Sequence, residues 1–203
     1  MRSPNHLQIK QLCRDSLPRL MEKQGLEAPL SVRMDETGWV NPCFFVNEKY
    51  AVRFNARDPQ TPKFQREKVV YSLLRDRFPV PQEVILDESR EFVPFDILIT
   101  QLIPGRSVEA DWPLLTSQER TAFARQAGQW ITKLHQVRFN YFGELSERGP
   151  LPRTNTWFDY LKAKLDFHLK ETEELKIFSV DETTRFKKAF IKFKPELDTV
   201  TEA

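Results

Sequence analysis

At 203 residues the chain has room for one large domain or two small lobes, and its 40% hydrophobic content supports a packed core without disulfides. Its 31 basic and 29 acidic residues leave a formal net charge of +2, which argues against a dedicated nucleic-acid binder with a concentrated basic face. Cys13 and Cys43 show no metal-ligand spacing, the N-terminus has no apolar leader, and no run approaches the ~18 apolar residues of a membrane span. A cytoplasmic protein without nucleic-acid or membrane partners is expected.

Residues 5–24 read as an amphipathic helix, with Leu7, Leu12, Leu17, Leu20 and Met21 as apolar contacts and Gly25 as a stop; Pro18 predicts a kink or break. The period then changes. Residues 31–35, 43–46 and 50–54 are short, rich in β-branched or aromatic residues, and separated by turn signals, which predicts three antiparallel strands. Thr61-Pro62 has the form of an N-cap followed by proline at the first helical position, opening a helix to about Phe78. Its expected apolar face is Phe64, Val70, Leu73, Leu74 and Phe78. Residues 83–86 and 95–102 supply two more strands, and Pro104-Gly105 closes the region.

From there the pattern is helical. Thr116 with Glu119 forms a capping-box signature, and Phe123, Ala127, Trp130, Ile131 and Leu134 follow at helical spacing. A further helix is expected from Thr156 to Leu175, and Ser179 with Glu182 opens another that reaches Pro195. The organisation predicted is α+β: a mixed part at 1–103, with its N-terminal helix at 5–24, and an all-helical part at 104–203.

Among residues that carry chemistry, Arg53 comes first. Alternation along Tyr50-Ala51-Val52-Arg53-Phe54 puts Ala51 and Arg53 on one face. A small Ala leaves room for a flat ring, and an Arg about 6–7 Å further along reaches phosphate oxygens from that ring's position. Taken alone, Arg53 is equally a surface cation. Glu67, fourteen residues on, sits on the first half of the helix and can orient the guanidinium. Alternatively it is a solvated residue paired with Lys63. Gly38, in Gly38-Trp39-Val40-Asn41, permits close approach to a phosphate or simply a hairpin loop.

These marks, in their order, resemble the aminoglycoside phosphotransferase and choline-kinase-like phosphotransferase enzyme family. The resemblance runs through the Gly-x-x-Asn of Gly38 and Asn41, Ala51-Val52-Arg53, Glu67 and Val80-Pro81. It continues through residues 98–105, Leu134-His135, Phe142-Gly143 and Trp157. It implies a protein-kinase-like fold: a five-stranded antiparallel N-terminal lobe with its helix, then the first helices of an incomplete helical C-terminal lobe. It implies ATP held between lobes, with Thr100 behind the adenine, the Gln101 carbonyl and Ile103 N–H on its edge, and Arg53 on the phosphates, braced by Glu67. Gly38, Asn41 and Ala51 would complete the nucleotide site. His135 is expected to be structural.

Phosphoryl transfer also needs a residue to orient the acceptor hydroxyl and ligands for Mg²⁺. In the family these come from a His-Gly-Asp-x-x-x-x-Asn loop and a later Asp. The three histidines here, His6, His135 and His168, are followed by Leu-Gln, Gln-Val and Leu-Lys, so none begins that loop. Asp166-Phe167-His168 and Asp111-Trp112-Pro113 resemble metal-binding motifs but lie in the wrong context and order.

The expectation is therefore the N-terminal part of an ATP-dependent small-molecule phosphotransferase, with no catalytic residues and no metal ligands of its own. Its acceptor would be a small hydroxyl-bearing molecule. Its unpartnered helices would favour self-association or a complementary C-terminal chain. The alternative is a non-catalytic nucleotide-binding or protein-interaction module. A weaker possibility, a nucleic-acid binder using Lys162, Lys164, Lys187, Lys188, Lys192 and Lys194, is set against a solvated helical surface. The acidic residues Glu171, Glu173, Glu174, Asp181 and Glu182 read as a solvated helix end or the border of a cationic pocket.

Overall fold

The computed structural model describes residues 6–36, 41–105, 108–145 and 151–201. The chain divides into two units, Met1–Pro104 with Leu145–Arg148, and Gly105–Glu144 with Gly149–Ala203. Among the described residues, no helix is long and apolar enough to cross a membrane.

The first unit opens with helix α1, His6–Lys23. Strands β1 (Val32–Met34), β2 (Cys43–Val46), β3 (Tyr50–Phe54), β4 (Val84–Asp87) and β5 (Ile97–Gln101) form an antiparallel sheet in the order β1-β2-β3-β5-β4. Residues directly opposite in such a ladder share a face. Phe44, Val52 and Ile99 therefore point one way, while Cys43, Arg53 and Leu98 point the other. The first face is closed by α1. Cys13, Leu17, Leu20 and Met21 of the helix join Phe44, Val46, Val52, Phe54, Ile97 and Ile99 in one buried cluster.

Pro18 neither breaks nor ends α1. Proline removes one helical hydrogen bond and costs about 3 kcal/mol in an exposed helix interior. Here the side chains on either side of it, Leu17 and Leu20, are wholly buried, and each contributes about 1.5–3 kcal/mol. The sealed face is narrower than the sequence predicts: Leu7 and Leu12 are exposed, and Cys13 takes the inward position instead.

Helix α2, Lys63–Leu74, follows β3 through a tightly organised loop. The buried Asn55 donates from its side-chain amide to the carbonyls of Asp58 and Thr61, and its own N–H bonds Asp96 O. Thr61 is not the N-cap. Its hydroxyl donates to the Asp58 carboxylate, Pro62 occupies the cap position without a side-chain hydrogen bond, and the helix starts one residue later than expected. The helix also stops at Leu74 rather than Phe78; Phe64 and Leu74 are its buried residues, and Leu73 is exposed.

Asp87, at the end of β4, ties α1 to the sheet. Its buried carboxylate accepts from Gln24 Nε2 (2.8 Å), Ser89 N (2.8 Å) and Ser89 Oγ (2.6 Å), and pairs with Lys23 Nζ at 3.2 Å. Burial works against its charge, but the Ser89 hydrogen bonds and Lys23 outweigh it and hold the carboxyl below its ordinary value of 3.8. A depressed native pKa contributes stability that is present above the unfolded value and lost as pH falls through the native one. Asp87→Asn should therefore cost about 1–3 kcal/mol at pH 7. The gap from wild type should close as pH falls below about 4 in chemical denaturation curves.

The second unit is helical: α3 (Val108–Asp111), a 3₁₀ turn at Trp112–Leu114, α4 (Ser117–Leu134), α5 (Trp157–Glu174), α6 (Val180–Ile191) and α7 (Lys194–Leu197). Both expected capping boxes form, Thr116 with Glu119 and Ser179 with Glu182, and Thr156 caps α5. The α6 helix ends at Ile191, short of Pro195, and α7 begins after a turn. The α5–α6 contact centres on Phe158 stacked on Phe190, with ring centroids 5.3 Å apart. Gly143 lets the chain pass close to its neighbour; an added Cβ there would lie 3.1 Å from Arg153 Cα.

The α4 helix has no buried residue; Phe123, Ile131 and Leu134 of its apolar stripe are exposed. Its hydrophobic spacing thus contributes little to the stability of this chain. Ile131→Glu should change unfolding stability by less than about 0.5 kcal/mol. Leu17→Ala in α1 should cost about 2–5 kcal/mol, both read from urea melts.

Candidate nucleotide-binding site

The sheet face opposite α1 carries the sequence-predicted residues. Ala51 lies across from Thr100 of β5, and Arg53 lies between Leu98 of β5 and Cys43 of β2. Ala51, Arg53 and Thr100 are therefore neighbours on one face, with Thr100 buried at the end of the strand that leads into Gln101. Small Ala51 leaves this part of the face low, and Arg53 stands about 6–7 Å further along the strand.

The α2 helix meets this face with one row of side chains. Phe64, Glu67 and Tyr71 lie at helical spacings of three and four, so all three point the same way. Glu67 takes Arg53 in a two-pronged contact: Nη1 donates to Oε1 at 3.3 Å, and Nη2 donates to Oε2. The Phe64 ring lies 5.5 Å from the guanidinium carbon, and Tyr71 Oη stands 3.4 Å from Glu67 Oε2. Partial burial of Arg53 works against its charge, but the Glu67 contact outweighs it and raises the pKa further. The guanidinium is thus a permanent cation, held by the Glu67 carboxylate with the Tyr71 hydroxyl beside it. Lys63, the alternative partner for Glu67, lies instead 3.9 Å from Asp58.

A family model described as the phosphotransferase enzyme family matches residues 31–196. The chain belongs to that family. Solved structures share the fold. APH(2")-IIa in complex with gentamicin superposes with a TM-score of 0.57 and 15% identity over 94% of this chain. The streptomycin–ATP ternary complex of APH(2")-IIa gives 0.54 and 17% over 94%, and the GDP and kanamycin complex of APH(2")-IIia gives 0.54 and 18% over 90%. The chain spans 57–59% of the length of these proteins. A search of curated proteins returned no match. The fold is the protein-kinase-like one, in which a five-stranded antiparallel sheet with its helix precedes a helical unit.

In this phosphotransferase-family chain, Gly38 lies outside the described residues. Asn41 is described, and its side-chain oxygen accepts from Arg57 N at 3.1 Å, bracing the start of β2 against the segment after β3. Gln101 ends β5 with an exposed side chain; its Oε1 accepts from Gln82 N and its backbone N–H donates to Glu83 O. Ile103 follows in the irregular segment after β5 and is exposed. His135 terminates α4, exposed, with its carbonyl accepting from Arg138 Nη1.

Among the described residues, no group of three or more His, Cys, Asp or Glu side chains could hold a metal ion. Asp166 instead pairs with Lys162 at 3.0 Å and Lys187 at 3.3 Å, which also uses two of the lysines considered for nucleic-acid contact.

Two neighbours of Arg53 are not legible from the motif alone. Tyr71 is detectable only once Glu67 is placed on the inward row, since it is four residues further on. Cys43 is placed by the β2–β3 register. Burial, with Asp35 nearby, pushes its thiol up to about 11 despite the closeness of Arg53; burial pushes Cys13 to about 12. Both thiols should therefore be slow nucleophiles. At pH 7.5, native-state alkylation by iodoacetamide should run at least about tenfold slower than that of a free cysteine peptide, with full labelling after denaturation.

Proposed function

We propose that this chain binds ATP on the open face of its sheet, as the nucleotide-holding part of a small-molecule phosphotransferase. The observation that carries the reading is the Arg53–Glu67 fork on the face shared by Ala51 and Thr100. The purine would lie over Ala51, against Thr100, with its edge toward the Gln101 carbonyl and the Ile103 N–H. The phosphates would then run toward Arg53. The fork keeps the guanidinium oriented before the ligand arrives, so little side-chain entropy is lost on binding. Asn41, and Gly38 before it, would border the phosphate end. Bound Mg²⁺ would shield the phosphate charge, and its ligands would come from outside the described side chains. The acceptor class is a small hydroxyl-bearing molecule, in keeping with the aminoglycosides held by the structural neighbours.

The chain by itself is proposed to hold the nucleotide without transferring its phosphate. None of its three histidines begins a His-Gly-Asp loop of the kind that would orient an acceptor hydroxyl. The same observation favours the second reading, a nucleotide-binding module without catalysis. The two part company when a complementary polypeptide is supplied: restored turnover selects the first.

An ATP analogue should raise the melting temperature of the wild type by several degrees and leave Arg53→Ala unchanged. An equal response from both proteins, or none from either, would count against the site. Turnover by the 203-residue chain alone would overturn the reading that it holds the nucleotide without transferring its phosphate.

A further inference from the structure

We propose that Tyr71 is a positioning residue for Arg53: its hydroxyl fixes the plane of the Glu67 carboxylate and hence the direction in which the guanidinium faces a nucleotide phosphate. This inference rests on the nucleotide reading above.

Arg53 engages both oxygens of Glu67, so the plane of the guanidinium follows that of the carboxylate. Nothing intrinsic to a glutamate sets that plane, because its terminal torsion is broad and roughly two-fold. A second donor beside one oxygen biases it toward one orientation. Tyr71 lies one helical turn after Glu67 on the same row of α2, and its Oη stands 3.4 Å from Oε2, the oxygen that also accepts from Arg53 Nη2. Phe64, one turn earlier on that row, bounds the guanidinium with its ring at 5.5 Å. Ring, carboxylate and hydroxyl from one helix thus enclose one strand cation.

The choice of arginine makes the arrangement matter. A lysine would present a compact charge indifferent to the carboxylate plane, whereas a guanidinium offers its remaining donors in a fixed fork. A few tens of degrees of carboxylate rotation would turn those donors away from a phosphate. Tyr71 is half-buried and remains a donor across the neutral range. Burial raises the phenol pKa further, with Arg53 opposing and Glu67 reinforcing the shift.

Calorimetric titration of the 203-residue chain with ATP and with adenosine tests the role. Tyr71→Phe keeps the ring and removes the hydroxyl. It should weaken ATP binding about three- to tenfold and leave adenosine binding unchanged, with a cooperative melt confirming the fold. In a Glu67→Gln background the same substitution should change ATP affinity by less than about 1.5-fold, because the two-oxygen grip on Arg53 that Tyr71 acts through is gone. Equal losses for ATP and adenosine would reduce Tyr71 to a packing residue and overturn the proposal. An undiminished loss in the Glu67→Gln background would overturn it as well. So would wild-type ATP affinity in Tyr71→Phe while Arg53→Ala loses binding. If Arg53→Ala also binds ATP like wild type, the nucleotide site itself is misplaced and both readings fall together.

Discussion

An antiparallel sheet has two faces, and a chain of this size covers them unequally. In the first unit α1 seals one face with Cys13, Leu17, Leu20 and Met21. The opposite face buries Leu98 and Thr100 and leaves Ala51 and Arg53 partly exposed between them and β2. The period of two then dictates what the open face carries: Val52 and Phe54 go to the core, while Ala51 and Arg53 go to the open side. A slip of one residue in β3 would bury the cation and expose the core.

The α2 helix has a different task from α1. Its buried apolar residues are few, and its inward row is mixed, with Phe64, Glu67 and Tyr71 gathered around Arg53. Its placement depends on the loop before it, where Asn55 and the Thr61–Asp58 contact hold the turn. A partly buried ion pair of this kind contributes modestly to stability, since desolvation offsets attraction. Its larger consequence is geometric: a permanent cation is held at a fixed place on the sheet face opposite α1.

The second unit shows the limit of amphipathic pattern as a guide. The α4 helix has capping, spacing and an apolar stripe of the kind that normally packs, yet it buries no side chain. The α5 and α6 helices, with comparable patterns, do pack, through Phe158 and Phe190. Local signals set where each helix starts; whether its stripe is used depends on what else the fold supplies.

Helix and strand identities, the β2 and β3 limits, both capping boxes and the Ala51–Arg53 face were legible in the sequence, because alternation and capping are local physics. The family was legible from the ordered succession of short marks between Gly38 and Trp157. Tertiary structure decided the rest. It kept α1 continuous through Pro18, because burial on the sheet outweighs one lost hydrogen bond. It moved the start of α2 past Thr61, so that Pro62 stands at the cap and the Thr61 hydroxyl holds the preceding loop through Asp58. It turned Cys13 rather than Leu7 and Leu12 inward. It brought Thr100 beside Ala51, and Cys43, Phe64 and Tyr71 around Arg53. Those proximities arise from strand register and helix docking across long stretches of sequence, which local periodicity cannot encode.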